Sequence, residues 1–273
     1  MQAGGMIFAR GIARAFGGAV LFAVPLLMTM EMWQLGFSMS RTRLAIFVAA
    51  TLPMLIGLSY YSGFEKTQSF AEDIEDAFVA YATGWIASAL MLFLFGMIGP
   101  HMPPGEVIGK IGIQSVPASI GAIVARKQLQ ARDGGSGGER EDRATYRGEL
   151  FLMAAGAVFV AFNVAPTEEM LLIAYTMTPW HALALAFISV LMLHGFVYTV
   201  GFAGQEERPD YAGFWLTFLH FTIAGYGIAL LVSLYVLWIF ERTTGIAPPE
   251  IAMMMVVLGF PASLGAATAR LIV

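Results

Sequence analysis

The sequence predicts an all-α membrane protein of about eight transmembrane helices, arranged as two tandem pseudo-symmetric repeats of four. Three observations carry that expectation: composition, self-similarity and the placement of charge. Of 273 residues, 58% are hydrophobic and only 12% charged, about half the charged fraction of a soluble domain. The apolar residues fall into long runs, several near the ~20 residues that cross a bilayer. With no cysteine, disulfides, zinc–thiolate sites and thiol chemistry are excluded. The net charge of −4 says little about partners.

Shifted by 138 residues, stretch 18–64 lies on 156–202 without a gap, and 14 of the 47 positions are identical. Chance would give roughly three or four. Gly18-Ala19-Val20 falls on Gly156-Ala157-Val158, and TMEM (29–32) on TEEM (167–170). At a shift of 144, PASIGAIVAR (117–126) lies on PASLGAATAR (261–270), with Glu106 opposite Glu250. Between the blocks Tyr81 and Ser88 fit Tyr226 and Ser233 with one more residue of slippage. A chain that matches itself in order at a near-constant spacing reads as an internal duplication. The expected organisation is a first membrane repeat at 1–130, a polar glycine-rich linker at 131–147 and a second repeat at 148–273.

The elements follow in order. In the first repeat the apolar segments run 12–38, 42–63, 76–99 and 106–126; in the second, 149–176, 180–203, 212–240 and 250–271. Arg10 and Arg14 precede the first segment as in a signal peptide, but no small-residue cleavage site follows, so an uncleaved span is expected. Lys110 and Gln114 make the fourth segment the weakest, able to span or to re-enter from one face. Charge favours spanning. With eight spans and a cytoplasmic N-terminus, eleven basic residues lie inside and four (Arg41, Arg43, Lys110, Arg242) outside, in keeping with the positive-inside rule. An even number of spans per repeat makes the halves parallel, related by an axis along the membrane normal; inverted repeats are the runner-up. Both termini are then cytoplasmic, in a bacterial inner membrane.

Glu31 and Glu169 occupy equivalent positions of the duplicated first helix. Ionisable groups in apolar spans cost about 2.5–3.5 kcal/mol on insertion scales and usually face a bundle interior or a water path. Each follows a proline, Pro25 or Pro166, which removes a backbone donor and frees a carbonyl. APTEEM looks like a helix restart with Thr167 as N-cap. A broken helix with a carboxylate at the break suits ion binding. Glu31 and Glu169, assisted by Thr29, Thr167 and Glu168, make an oxygen-rich set for H⁺, Na⁺ or a divalent ion such as Ca²⁺. The structural reading beside it is that these glutamates reach the headgroups, that Glu31 pairs with Arg41 or Arg43, and that Thr-Glu-Glu is a helix N-terminus at the interface.

His194 and His220 lie in apolar segments and are candidates for a proton relay with Glu169; histidines so placed are more often satisfied helix-packing residues. His101 and His181 fall near outer loops. Glu72, Glu75 and Asp76 share a helical face, either as a solvated helix start or as a cation-gathering mouth. In the repeated PASxGAxxAR helices, Pro117, Ser119, Gly121, Pro261, Ser263 and Gly265 read as packing positions where helices approach closely, with Arg126 and Arg270 as cytoplasmic anchors. The metal identity stays unknown: no metal-ligand spacing such as HExxH occurs, and the 17 methionines read as lipid-facing filler.

The duplicated TxEM helix and the repeated PASxGAxxAR helix resemble a bacterial family of integral membrane proteins of unknown function. The resemblance covers most of the chain. It implies membrane location and duplication and contributes no chemistry.

The function these residues point to is transport or conduction of a cation or proton across the lipid bilayer, without a cofactor and without a nucleic-acid partner. The alternative is a non-transporting sensor or accessory subunit; a homo-oligomer or a larger membrane complex stays open. An intramembrane enzyme ranks third, because no catalytic pair stands at a recognisable spacing.

Overall fold

The computed structural model describes residues 2–61, 70–133, 146–200, 215 and 218–272. Lys66, Arg208, most of the linker, and the side chains of Arg10, Arg126 and Arg270 lie outside the described residues. Among those described the chain is helical, and it divides into two compact units, Met1–Gly137 and Gly138–Val273.

Unit 1 contains α1 (Gln2–Leu27), α2 (Met30–Ser38), α3 (Arg41–Tyr61), α4 (Phe70–Leu94) and α5 (Pro104–Asp133). Unit 2 contains α6 (Tyr146–Val164), α7 (Glu168–Thr176), α8 (Pro179–Val200), a π-helical turn (Phe218–Ile223) that runs into α9 (Ala224–Ile239), and α10 (Pro248–Ile272). Among the described residues seven helices are long and apolar enough to cross a membrane; the described apolar part of α1 is Gly11–Ala23.

In each unit the last helix is the hub. α5 touches α1, α2, α3 and α4, and α10 touches α6, α7, α8 and α9. Small side chains allow it. Gly18 on α1 meets Gly121 and Ala125 on α5, and Gly156 on α6 meets Gly265 and Ala269 on α10, so close that there is no room for a Cβ. Close backbone approach of this kind maximises dispersion contact where lipid supplies no hydrophobic drive. α5 runs unbroken, and 72% of its apolar window is buried, against 28% for α3 and 39% for α4. The segment that looks weakest by hydropathy is therefore the most enclosed span of unit 1. Gln114 explains part of this: its Nε2 donates to the Ala23 carbonyl across the α1–α5 contact at 2.6 Å.

The first apolar segment of each half is two helices rather than one. In unit 1 the chain breaks at Met28–Thr29 and in unit 2 at Ala165–Thr167. Proline disfavours helical geometry in the residue before it and lacks an N–H, which accounts for the second break at Pro166. Pro25, by contrast, sits inside α1, and the first break comes at Thr29, in extended geometry (φ −101°, ψ 130°).

The α4–α5 and α9–α10 corners share one hydrogen-bond pattern. Met97 N–H donates to Leu92 O at 2.8 Å past Gly96 (φ 70°), and Arg242 N–H donates to Leu237 O at 2.9 Å past Glu241 (φ 62°). This is a helix stop that favours glycine in the left-handed position. Glu241 accepts a conformation costing roughly 1–2 kcal/mol for an L-residue. Glu241→Gly is accordingly expected to stabilise the protein by about 1 kcal/mol, read as a raised Tm in detergent.

Candidate functional site

The two breaks are built alike. α2 and α7 have nine residues each, and they end at Met39 and Met177, whose N–H groups donate to Leu35 O at 2.9 Å and Ile173 O at 3.1 Å. Thr29 and Thr167 occupy the N-cap positions, but neither hydroxyl caps the helix that follows. Each turns back, Thr29 Oγ1 to Leu26 O at 2.9 Å and Thr167 Oγ1 to Val164 O at 2.8 Å. The hydroxyls thus satisfy the end of the incoming helix rather than the N–H groups opening α2 and α7, and the first turns carry Glu31 in one and Glu168 and Glu169 in the other. Carboxylates there suit the positive end of the helix dipole.

α2 buries Met32, Leu35 and Gly36, and α7 buries Met170 and Ala174. Glu31 lies beside that face and is half-buried; Glu168 and Glu169 are exposed on their own unit. Among the described residues neither Glu31 nor Glu169 makes a hydrogen bond or ion pair. The two belong to different units.

Basic side chains lie against the far part of α2 in unit 1 and at the break itself in unit 2. In unit 1 Lys110 follows Gly109 on α5, where α2 crosses at Gly36 in backbone contact. Lys110 Nζ pairs with Glu106 at 2.6 Å and donates to Met97 O at 3.1 Å, with the two side chains only 10% and 19% exposed. Trp33 Nε1 donates to Leu27 O at the break itself, at 2.8 Å. In unit 2 the residue that falls on Lys110 is Met254, fully buried. There the guanidinium of Arg242 donates instead to the carbonyl of Pro166. Among the described residues Arg242 Nε and Glu250 Oε2 are buried without partners, as is Asn163 Oδ1, although Asn163 Nδ2 donates to Phe159 O at 2.8 Å.

The histidines sit elsewhere. His194 Nδ1 lies 2.8 Å from Thr222 Oγ1, on the π-helical turn. His220, on the same turn, is exposed, and its carbonyl accepts from Tyr146 Oη at 3.0 Å. Tyr146 begins α6, more than twenty residues before Glu168, or about 30 Å by helical rise. Both imidazoles therefore gather at the opposite end of unit 2 from the break. π-Turns are frequent at functional positions, and nothing in the apolar periodicity of the segment announces this one. His101 and His181 are exposed.

Of the acidic start of α4, Glu72 and Glu75 are exposed, whereas Asp73 is 1% exposed and accepts from Ser59 Oγ at 3.0 Å. Asp73 was not singled out by its helical spacing. In the hub helices Ser119 Oγ donates to Ser115 O and Ser263 Oγ to Phe260 O, each at 2.7 Å. Their hydroxyls are satisfied within the helix, leaving Gly121 and Gly265 to make the close approaches. Pro117 is buried and Pro261 half-buried, each within its unbroken hub helix. Among the described residues no three His, Asp or Glu side chains converge as a metal-binding group.

The arrangement offers two interrupted apolar helices with carboxylates one step past the interruption; a basic group reaches the second interruption, Arg242 at Pro166, while Lys110 packs against α2 at Gly36. Lys110, Arg242 and Glu250 were not read from sequence as part of such a site. The available signal was that the charge reading assigns Lys110 and Arg242 to the side expected to hold only four basic residues.

No curated protein and no solved structure matches the chain. A family model described as "Putative integral membrane protein (DUF2391)" matches residues 11–273. The match covers nearly the whole chain, and the protein belongs to that family of integral membrane proteins.

Proposed function

We infer that this protein moves a cation or proton across the membrane through its two interrupted helices. One observation carries the reading: each unit has a nine-residue half-helix that restarts at a carboxylate inside an apolar stretch, Glu31 in α2 and Glu168–Glu169 in α7. Interrupted helices of this kind expose backbone carbonyls and place side-chain oxygens where a desolvated ion needs ligands. The fuller organisation proposed is eight spans in two parallel repeats, with both termini cytoplasmic in a bacterial inner membrane. Support for it comes from the 138-residue spacing of the breaks, the 145-residue spacing of the corners at Gly96 and Glu241, and the matching Gly18–Gly121 and Gly156–Gly265 contacts. The histidines beside the π-turn then lie toward the cytoplasmic end, as proton-exchange groups at the mouth rather than as partners of Glu169.

The exposure of Glu168 and Glu169 on their own unit favours a second reading, in which they address headgroups or a partner protein and nothing is transported. Ion flux into proteoliposomes separates the two, with H⁺, Na⁺, K⁺, Ca²⁺ and Mn²⁺ measured individually. Glu31→Gln and Glu169→Gln are each expected to cut flux about ten-fold, equivalent to ~1.4 kcal/mol of ion binding, and the double substitution to reduce it to background. Absence of flux from the wild-type protein under both a pH gradient and an imposed potential would leave the non-transporting reading standing alone.

A further inference from the structure

The second break is held by a residue distant in sequence. Arg242, in the corner after α9, donates to the Pro166 carbonyl, 76 residues away. Pro166 precedes the N-cap of α7, so its carbonyl accepts no bond within that helix. A carbonyl of this kind is what a desolvated cation would coordinate, and a guanidinium already stands there.

Two observations indicate that this is not the only seat for Arg242. Among the described residues its Nε is buried with no acceptor, and Glu250 Oε2 is buried with no donor. Both residues lie at the same end of the α9–α10 hairpin, opposite in charge and left unjoined. Unit 1 displays the partner such a carboxylate takes. Glu106, which falls on Glu250, pairs with Lys110, and the same ammonium bonds the carbonyl of Met97, the corner residue that falls on Arg242. Unit 2 has Met254 in place of that lysine, so Glu250 lacks the cation that Glu106 has, while the corner has gained one that points elsewhere.

We propose that Arg242 is a latch with two seats: it occupies the Pro166 carbonyl when the break is empty and swings to Glu250 when a cation binds at the break. This rests on the transport reading given above. The guanidinium acts as the site's resident cation, so an incoming ion competes with it for the carbonyl oxygen, and like-charge repulsion drives it toward the waiting carboxylate. A ligand shifts such an equilibrium only by its differential affinity for the two states; here the difference is the single carbonyl that ion and arginine both want. Glu250 is a positioning residue, since it reaches the ion only through Arg242.

The test pairs flux with a local probe. The chain has no cysteine, so a nitroxide on Ala247→Cys, exposed between Arg242 and Glu250, reports the corner alone. Proteoliposomes are assayed with each ion separately, and the label is recorded with and without the ion that moves. Arg242→Gln should lower the half-saturating ion concentration roughly ten-fold, because a charge-assisted hydrogen bond no longer competes. Glu250→Gln should raise it. The label should show two populations whose ratio follows ion concentration in the wild type, and one population in either variant. If Arg242→Gln does not fold, Arg242→Lys, which keeps a donor but loses the fork, should shift affinity in the same direction. Flux with an unchanged half-saturating concentration in the arginine variants, or a label with a single ion-independent population in the wild type, overturns the latch and leaves the transport reading intact. No flux of any of these ions in the wild type overturns both.

Discussion

Lys110→Met is expected to destabilise unit 1 by about 3 kcal/mol or more, the usual consequence of leaving a buried charge without its partner. Lys110 and Glu106 are 2.6 Å apart and their side chains 10% and 19% exposed, so solvent screens the pair little. The substitution would strand Glu106 in an apolar span and leave the Met97 carbonyl without its donor. The same change puts into unit 1 the residue that unit 2 already carries at Met254. Adding Glu106→Gln should restore most of the loss, because a neutral amide demands far less of its surroundings than an unpaired carboxylate. The check is thermal unfolding of the two single variants and the double in one detergent. A double variant as unstable as Lys110→Met alone would show that lysine packing, not charge pairing, holds this corner.

The second large effect is expected at Gly265. A Cβ there would lie 2.7 Å from Val160 Cγ2 and still closer to the Gly156 carbonyl oxygen, which is backbone and cannot step aside. Gly265→Val must therefore push α6 and α10 apart along the contact that organises unit 2. Overpacking of this kind costs about 1–3 kcal/mol in a soluble core. The upper end or beyond is expected here, because close approach is itself the source of helix association in lipid. A fall in Tm and loss of monodispersity on size exclusion are the readouts. Gly195→Val is the control: among the described residues no atom beyond its own helix backbone and chain neighbours lies within 4 Å of a Cβ at that position, and a change within about 0.5 kcal/mol is expected.

The membrane class and the order of elements could be read from apolar runs because lipid admits only helices and closed barrels, and continuous apolar runs of about 20 residues fit the helix. The site was legible only in part. Pro166 marked its break, since proline acts on its immediate neighbours, but Pro25 pointed three residues short of the real break, which Thr29 makes by adopting extended geometry. The N-cap role assigned to the Thr167 side chain was not realised, because a threonine hydroxyl can equally return to the carbonyl three residues back. Gln114 and Lys110 looked like flaws in the fourth segment. Their partners, Ala23 and Glu106, show instead that the polar groups are satisfied across and along the hub helix. Arg242 was the least visible. Its acceptor lies 76 residues earlier, and hydropathy and spacing carry no information about a contact made at that range.

The length of α2 and α7 has an electrical consequence. Nine residues rise about 13 Å, a little under half of a ~30 Å hydrocarbon core. An ion seated at the foot of either half-helix would have crossed roughly half of the membrane's voltage drop. One full elementary charge moved through 100 mV corresponds to about 2.3 kcal/mol, so reaching the break would involve approximately half of that. On the transport reading, the resting potential of the cell would therefore bias how often the breaks are occupied, before any conformational step takes place.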